Sequence, residues 1–514
     1  MRRTAAGLAL AATALLPSVA GASPSADVPS TALAAASGAA AGATPASGSM
    51  TALATPAAGG AAARRPAAVP AHATPVAAAA AHRTPAELPQ PPPIDVDRLP
   101  DDGPPTALPG VRQEMQCAGT THTPDQAAVP NLLWGQRLFA LPELWSASRG
   151  RGVRIAVIDT GVARHPLLAG RLIAGGDYVA GGNGLADCDG HGTAVAGIAA
   201  AAAEAGTGFA GVAPAAEIIS IRQSSPSFSV PGHGDRRLPA GNLDTLARAV
   251  VHAVDLGAKV INISEVSCAA PNAPGAAELQ VAIHSAVLRN VVVVAAAGNT
   301  GAAGVPGNDG SCPDLPRPDT VAYPGWFDGD VLTVAAVGPN GLASPFSYPG
   351  PWVDVAAPGE RLMSLSVSGA GLTDQLSQVD TVTAINGTSF AAPSVAGLAA
   401  LIRARYPQLT ARQVMDRITA TAAQHASGRS DTVGFGMVDP VAALTRTPVV
   451  LPPPSGSPAA GDTGTLQLGA ASTEQRASGP GALWGGLLAL LASVTAGGLA
   501  VGRLRTGWRS DPRR

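Results

Sequence analysis

Three polar side chains stand where their surroundings make them costly unless they are used. Asp159 ends the stretch Val157-Ile158-Asp159-Thr160-Gly161-Val162, and an acidic group closing a buried strand needs a partner. His191 lies between glycines in Asp189-Gly190-His191-Gly192-Thr193, so the backbone packs closely and the imidazole projects from the start of a helix. Ser389 falls in Asn386-Gly387-Thr388-Ser389-Phe390-Ala391-Ala392-Pro393, at the head of a helical run that continues to residue 405. Pro393 is expected in its first turn, where a missing N–H costs little. A fourth stretch, Ala295-Ala296-Ala297-Gly298-Asn299, follows an apolar run of strand length. Each has an ordinary use alone: a turn or N-cap aspartate, a structural histidine, a turn asparagine. Together they suit nucleophilic acyl transfer. A serine hydroxyl has too high a pKa to attack a peptide carbonyl unaided. A histidine must take its proton, and a carboxylate must hold the imidazole in the right tautomer. This chemistry calls for no cofactor. Asp187, Cys188, Asp189 and His191 are spaced too tightly for a usual zinc site, so no metal is expected.

The elements that carry these residues alternate. Apolar runs at 153–158, 217–221, 259–263 and 291–296 read as strands, and 193–203, 243–256 and 276–289 read as helices. Continuous apolar strands separated by helices imply an α/β fold, a parallel sheet with helices on both faces. In such sheets functional groups gather at the carboxyl ends of the strands.

The globular pattern occupies only part of the 514 residues. Charged residues are 13% and aromatics 3%, while Gly and Pro together number 108. A net charge of −2 provides no basic field for nucleic acid. Residues 1–22 have the form of a cleaved signal peptide: Arg2 and Arg3, a short apolar run, then Ala20-Gly21-Ala22. Residues 23–86 are an Ala/Pro-rich spacer without aromatics and are expected to be disordered. An N-terminal extension, 87–145, precedes a catalytic domain at 146–447. A Pro/Gly/Ser-rich linker, 448–480, leads to an uncharged stretch at 482–502. At about 1.5 Å per residue that stretch can cross a bilayer as one helix. Arg503, Arg505, Arg509, Arg513 and Arg514 follow it, which makes 503–514 a cytoplasmic tail by the positive-inside rule. The catalytic domain is then extracytoplasmic, on a single-pass anchor in the cell membrane. Four cysteines in such a compartment, Cys117, Cys188, Cys268 and Cys312, suggest two disulfides with three possible connectivities.

Taken in order, the three motifs resemble those of the subtilisin-like serine proteases, the subtilases, whose triad runs Asp…His…Ser. The resemblance extends from Trp134 to Leu444 and includes Gly434-Phe435-Gly436-Met437-Val438-Asp439-Pro440. It implies a serine endopeptidase with Asp159, His191 and Ser389 as the triad. It also implies that the Asn299 side chain joins the Ser389 backbone N–H in an oxyanion hole. By the same resemblance Ser264, Glu265 and Val266, with Ala295, Ala296 and Ala297, line the pocket for the residue preceding the cut. Glu265 there either attracts a basic side chain or points into solvent.

A narrower resemblance is to the mycosins, membrane-anchored subtilases that accompany type VII secretion systems. It rests on Pro91-Pro92-Pro93-Ile94-Asp95, Leu99-Pro100, Met115-Gln116-Cys117, Asp187-Cys188-Asp189-Gly190-His191 and Asn262-Ile263-Ser264-Glu265-Val266-Ser267-Cys268. The spacer at 23–86 is longer than that family usually carries. The resemblance implies cleavage of secreted protein substrates and association with the secretion membrane complex. The competing role is a structural subunit of that complex whose catalysis is dispensable, although a pure scaffold need not keep all four chemical groups.

Cys268 and Cys312 each lie beyond the carboxyl end of an apolar strand. If those strands are neighbours both thiols reach one rim, so the expected pairs are Cys268–Cys312 and, by elimination, Cys117–Cys188. Residues 23–112 contain no Phe, Tyr or Trp and cannot build a core that templates folding or plugs a cleft. The segment 115–144 carries groups suited to docking on a preformed surface. The extension is therefore expected to stay on the mature enzyme and leave the cleft open.

Overall fold

Successive side chains on a strand point to opposite faces, and in this protein both faces are covered. On β1 (Arg154–Asp159), Ile155 and Val157 enter one apolar core while Ala156 and Ile158 enter the other. The computed structural model describes residues 88–446, apart from 120–122, 126, 233, 302–311, 379–380 and 424–427. The expected signal peptide, spacer, linker, membrane helix and Arg-rich tail lie outside the described residues. Among the described residues no helix is long and apolar enough to cross a membrane.

The sheet continues with β2 (Leu172–Asp177), β3 (Glu217–Arg222), β4 (Val260–Ile263), β5 (Val292–Ala296), β6 (Leu332–Val337) and β7 (Val355–Pro358). Its order is β7-β6-β5-β4-β1-β3-β2, and every neighbouring pair is parallel. The α/β reading therefore holds. The four strands expected from apolar runs appear with ends moved by one residue at most, while β2, β6 and β7 are additional. Strand order reverses at β1: the chain passes from β1 to β2 at the sheet edge, returns to insert β3 between them, and then crosses to place β4 on the other side of β1. Ligand-binding groups collect at such a switch point, at the carboxyl ends of the strands.

Five helices cover the sheet: α1 (His191–Ala200), α2 (Leu243–Asp255), α3 (Ala276–Leu288), α4 (Thr388–Arg405) and α5 (Ala411–Thr421). Val195 of α1, Leu398 of α4 and Ile418 of α5 belong to one core; Val250 of α2 and Ile283 of α3 belong to the other. Every residue of α4 from Thr388 to Arg403 is buried. A helix surrounded on all sides carries no apolar stripe, and its many Ala and Gly residues let neighbouring backbones approach.

Residues of the expected extension run along the outside of this body. The Leu108 N–H donates to the Val179 carbonyl, and Arg112–Gln113 pairs antiparallel with Ser225–Pro231. The Ala118 N–H donates to the Cys188 carbonyl at 2.7 Å. The disulfides are Cys117–Cys188 and Cys268–Cys312. The second joins segments that follow β4 and β5, which are indeed sheet neighbours.

Candidate active site

Asp159 is the last residue of β1 and is fully buried. Its Oδ1 accepts hydrogen bonds from the Thr160 N–H and from His191 Nδ1, both at 2.7 Å. His191 opens α1, two residues earlier than the apolar pattern indicated. The earlier start has a visible cause. Both oxygens of the buried Asp187 carboxylate take up amides at the helix entrance, from Asp189, Gly190 and Thr193, together with the Thr160 and Thr193 hydroxyls. Orphan donors that would fray the first turn are thereby satisfied. Asp189 is equally engaged, accepting from the Ser225 and Ser227 hydroxyls, and Cys188 is in a disulfide. The Asp187–His191 stretch is thus a hydrogen-bonded helix entrance. A side chain at Gly192 would collide with the Gly161 carbonyl and crowd Asp159 Oδ1, so the absence of a Cβ lets α1 sit against the end of β1.

Ser389 is the second residue of α4, and its hydroxyl is buried. Pro393 is the sixth residue of α4, one turn deeper than the sequence suggested. Its absent N–H would have bonded the Ser389 carbonyl. That carbonyl instead accepts from the Ser264 hydroxyl at 2.7 Å, and Ser264 in turn accepts from Asn262 Nδ2 at 2.9 Å. The proline therefore frees an acceptor by which the end of β4 grips the serine. Gly387, with φ of 150°, occupies backbone space open essentially to glycine. A Cβ there would lie 2.9 Å from Ser389 Oγ and 3.6 Å from Asn299 Nδ2, so these two groups border the same small space.

Asn299 is anchored by its other end. Its Oδ1 accepts from the Thr388 N–H at 3.1 Å and the Thr388 hydroxyl at 3.2 Å. The Phe390 ring, next to Ser389, lies 5.0 Å from the His191 ring, which brings the starts of α1 and α4 together. Neither His191 Nε2 nor Ser389 Oγ has a hydrogen-bond partner, though both are buried. Catalytic hydrogen bonds are often open in the ligand-free state and close on substrate.

The remaining candidates are distributed differently. Ser264 is buried, and Val266 packs partly exposed against both cores. The methyl groups of Ala295, Ala296 and Ala297 are at most 1% exposed and alternate between the two cores. Glu265 is the partly buried member of the set, with its side chain 21% exposed. Its carboxylate turns inward, with Oε1 3.9 Å from His191 Nδ1. Asp159, His191 and Glu265 are the one group of three potential metal ligands among the described residues, and two of its members are already hydrogen-bonded to each other. Burial works against a charged His191, but the Asp159, Glu265 and Asp187 carboxylates outweigh it and push its pKa up to about 9. Burial, reinforced by the Asp159 charge, pushes Glu265 up to about 7.

Residues 150–436 match the Subtilase family, more than half of the chain. Mycosin-4 of Mycobacterium tuberculosis (strain ATCC 25618 / H37Rv) is 48% identical over 361 residues, covering 69% of this chain and 78% of that protein. The chain is a subtilase of the mycosin group. This subtilase is a serine endopeptidase. The solved MycP3 protease from the type VII (ESX-3) secretion system superimposes with a TM-score of 0.61 at 41% identity, covering 70% of this chain and all of that one. A chain of an intact ESX-5 inner membrane complex gives 0.63 at 38% identity, covering 80% and 99%.

The sequence did not expose the grip on the serine. Asn262, Thr388 and Asp187 hold Ser264, Asn299 and the start of α1. Only the proximity of these polar residues to the motifs in the sequence could have indicated that role.

Proposed function

We propose that the protein is a membrane-anchored, extracytoplasmic endopeptidase that cleaves protein substrates of a type VII secretion system. Asp159, His191 and Ser389 form its triad. The observation that carries this reading is the buried Asp159–His191 hydrogen bond of 2.7 Å, with the unpartnered Nε2 of the same imidazole and the ring of Phe390, next to Ser389 at the head of α4, 5.0 Å from the His191 ring. On substrate binding, His191 Nε2 takes the Ser389 proton as Oγ bonds to the scissile carbonyl carbon. The carbonyl oxygen becomes an oxyanion that accepts from the Asn299 amide and the Ser389 N–H. His191 then gives the proton to the leaving amine, and the acyl-enzyme is hydrolysed by water activated in the same way. Asp159 holds Nδ1–H and stabilises the imidazolium. Ser264, Glu265, Val266 and Ala295 to Ala297 flank the residue preceding the cut.

Anchoring is read from 482–502 and its Arg-rich flank. Association with a secretion complex is supported by the similarity to chains solved within the ESX-5 inner membrane complex and its periplasmic assembly. That similarity also favours a second role, as a structural subunit of the complex. Fluorophosphonate labelling of the full-length protein, followed by mapping of the modified residue, tests the catalytic reading. Ser389 should carry the label, and Ser389→Ala should lose both label and peptidase activity. Labelling that persists in Ser389→Ala overturns the triad. Secretion restored by the unlabelled Ser389→Ala variant would assign the complex a structural need for the chain separate from proteolysis.

A further inference from the structure

The triad accounts for one carboxylate at His191, yet the structure brings two. Glu265 follows directly on Ser264 beyond the carboxyl end of β4, and β4 is the neighbour of β1. The parallel register therefore delivers Glu265 beside Asp159 at the same edge of the sheet. Its Oε1 lies 3.9 Å from His191 Nδ1, the nitrogen that Asp159 Oδ1 meets at 2.7 Å, and its side chain is 21% exposed. No arginine or lysine among the described residues forms an ion pair with it. Besides His191, the charged groups acting most strongly on this corner are acidic: Asp159 from β1, Asp187 and Asp189 from the entrance to α1, and Glu265 itself, whose carboxylate also has the Ser224 hydroxyl beside it. The start of α4 adds no charged group, since Thr388, Ser389 and Phe390 are all uncharged.

We propose that Glu265 is a positioning residue of the catalytic base: a second carboxylate partner of His191 Nδ1 that governs when the imidazole is free to accept the Ser389 proton. This rests on the triad assignment above and adds a regulating charge to it. A carboxylate 3.9 Å from Nδ1 stabilises the imidazolium by simple attraction, and it does so more strongly in a corner poor in water. Its own ionisation falls near pH 7, where an ordinary imidazole would be giving up its proton. As Glu265 becomes charged, it holds that proton on His191. The pair titrates as a unit, and the base form is delayed to higher pH. The enzyme is thereby restrained at neutral pH without any blockage of the cleft.

The test compares full-length wild type with Glu265→Gln and Glu265→Asp. Two pH profiles are read: kcat/KM on a peptide uncharged near the cut, and the second-order rate of fluorophosphonate labelling at Ser389. In wild type both rise toward an alkaline limb above pH 6.5. In Glu265→Gln the limb should move to lower pH by about one unit. The rate at pH 7 should then rise about tenfold, because the base fraction of a mostly protonated imidazole changes tenfold per unit. The alkaline plateau should be no higher than wild type, since a less basic imidazole is the weaker base. Glu265→Asp, which keeps the charge, should stay near the wild-type limb. An unshifted limb in Glu265→Gln, with only KM changed for peptides basic before the cut, overturns the proposal and leaves Glu265 as a cleft wall. Loss of labelling at Ser389 in wild type would instead remove the triad itself, so the two failures are distinct. If Glu265→Gln does not fold, the His191 ring-proton titration of wild type decides. Two coupled steps support the proposal; a single step near the ordinary histidine value overturns it.

Discussion

Asn299 uses one end of its amide to aim the other. Its Oδ1 is held by the backbone and hydroxyl of Thr388, the residue before Ser389, which turns Nδ2 toward the corner bordered by Gly387 and Ser389. A donor fixed before the reaction need not reorganise as negative charge develops on the carbonyl oxygen, which is why such groups weigh heavily in the transition state. Asn299→Ala should therefore lower kcat by about 10²–10³ with little change in KM. It should also leave the fluorophosphonate-reactive serine in place. Steady-state kinetics on a peptide substrate check this, and a change confined to KM would mean that Asn299 serves ground-state binding. The motif containing Asn299 was legible in the sequence. The Thr388 clamp was not, because nothing in a residue string indicates which acceptor a threonine hydroxyl and its own N–H will share.

At the scale of elements, legibility followed hydrophobicity. The runs that became β1, β3, β4 and β5 are continuous and rich in Val and Ile, and they declared themselves. β2 contains Gly175 and Gly176, β7 is four residues ending in Pro358, and β6 lies among Gly- and Pro-rich loops. These strands are specified by pairing to neighbours more than by propensity, which is the usual limit of local reading. β6 and β7 are also joined by a side chain. The Asp354 backbone N–H donates to the Thr333 carbonyl at 3.0 Å, and its Oδ2 accepts the Thr333 N–H at 2.8 Å. Burial pushes the Asp354 carboxyl up to about 8; Asp328 adds to the shift, while Arg429, 3.7 Å away and shared with Asp328, opposes it. A folded-state pKa above the unfolded value means that the folded protein keeps a proton the unfolded chain releases. The stability from this group is complete below the ordinary aspartate range and is lost as pH rises through about 8. Asp354→Asn removes the titration and keeps an acceptor for Thr333. Thermal unfolding at pH 5, 7 and 9 should show the variant gaining on wild type as pH rises. Parallel melting curves would exclude a raised Asp354 pKa.

Across the whole molecule, the N-terminal extension is what separates this protein from a bare catalytic domain. Its path can be followed by contacts. The Trp326 indole donates to the Pro89 carbonyl and Gln280 to the Pro92 carbonyl, each at 2.8 Å. Arg98 pairs with Glu278, and Asp102 with His252. Glu114 joins the edge of Ser225–Pro231 through its N–H, and Cys117 ends the path in a disulfide three residues before His191. None of these contacts touches Ser389, Asn299 or Ser264. The anchoring groups are mostly backbone carbonyls and short strand pairings, which suit a strap laid on a finished surface rather than a plug with a core of its own. A strap tied across 71 residues of sequence also restrains the unfolded chain, by about 4 kcal/mol in the loop-entropy account. A cut just after Cys117 would leave the extension tethered to Cys188 through the disulfide, whereas a cut before Cys117 would free the upstream residues from that tie. The active mature protein is therefore expected to retain residues 88–119, and activity is expected not to await their removal. Intact mass and N-terminal sequencing of the active form read this directly. Replacing Cys117 and Cys188 by serine should lower stability by about 4 kcal/mol and render the extension sensitive to added protease. A mature chain that begins after Cys117, active only once that cut is made, would show instead that the strap is an inhibitor.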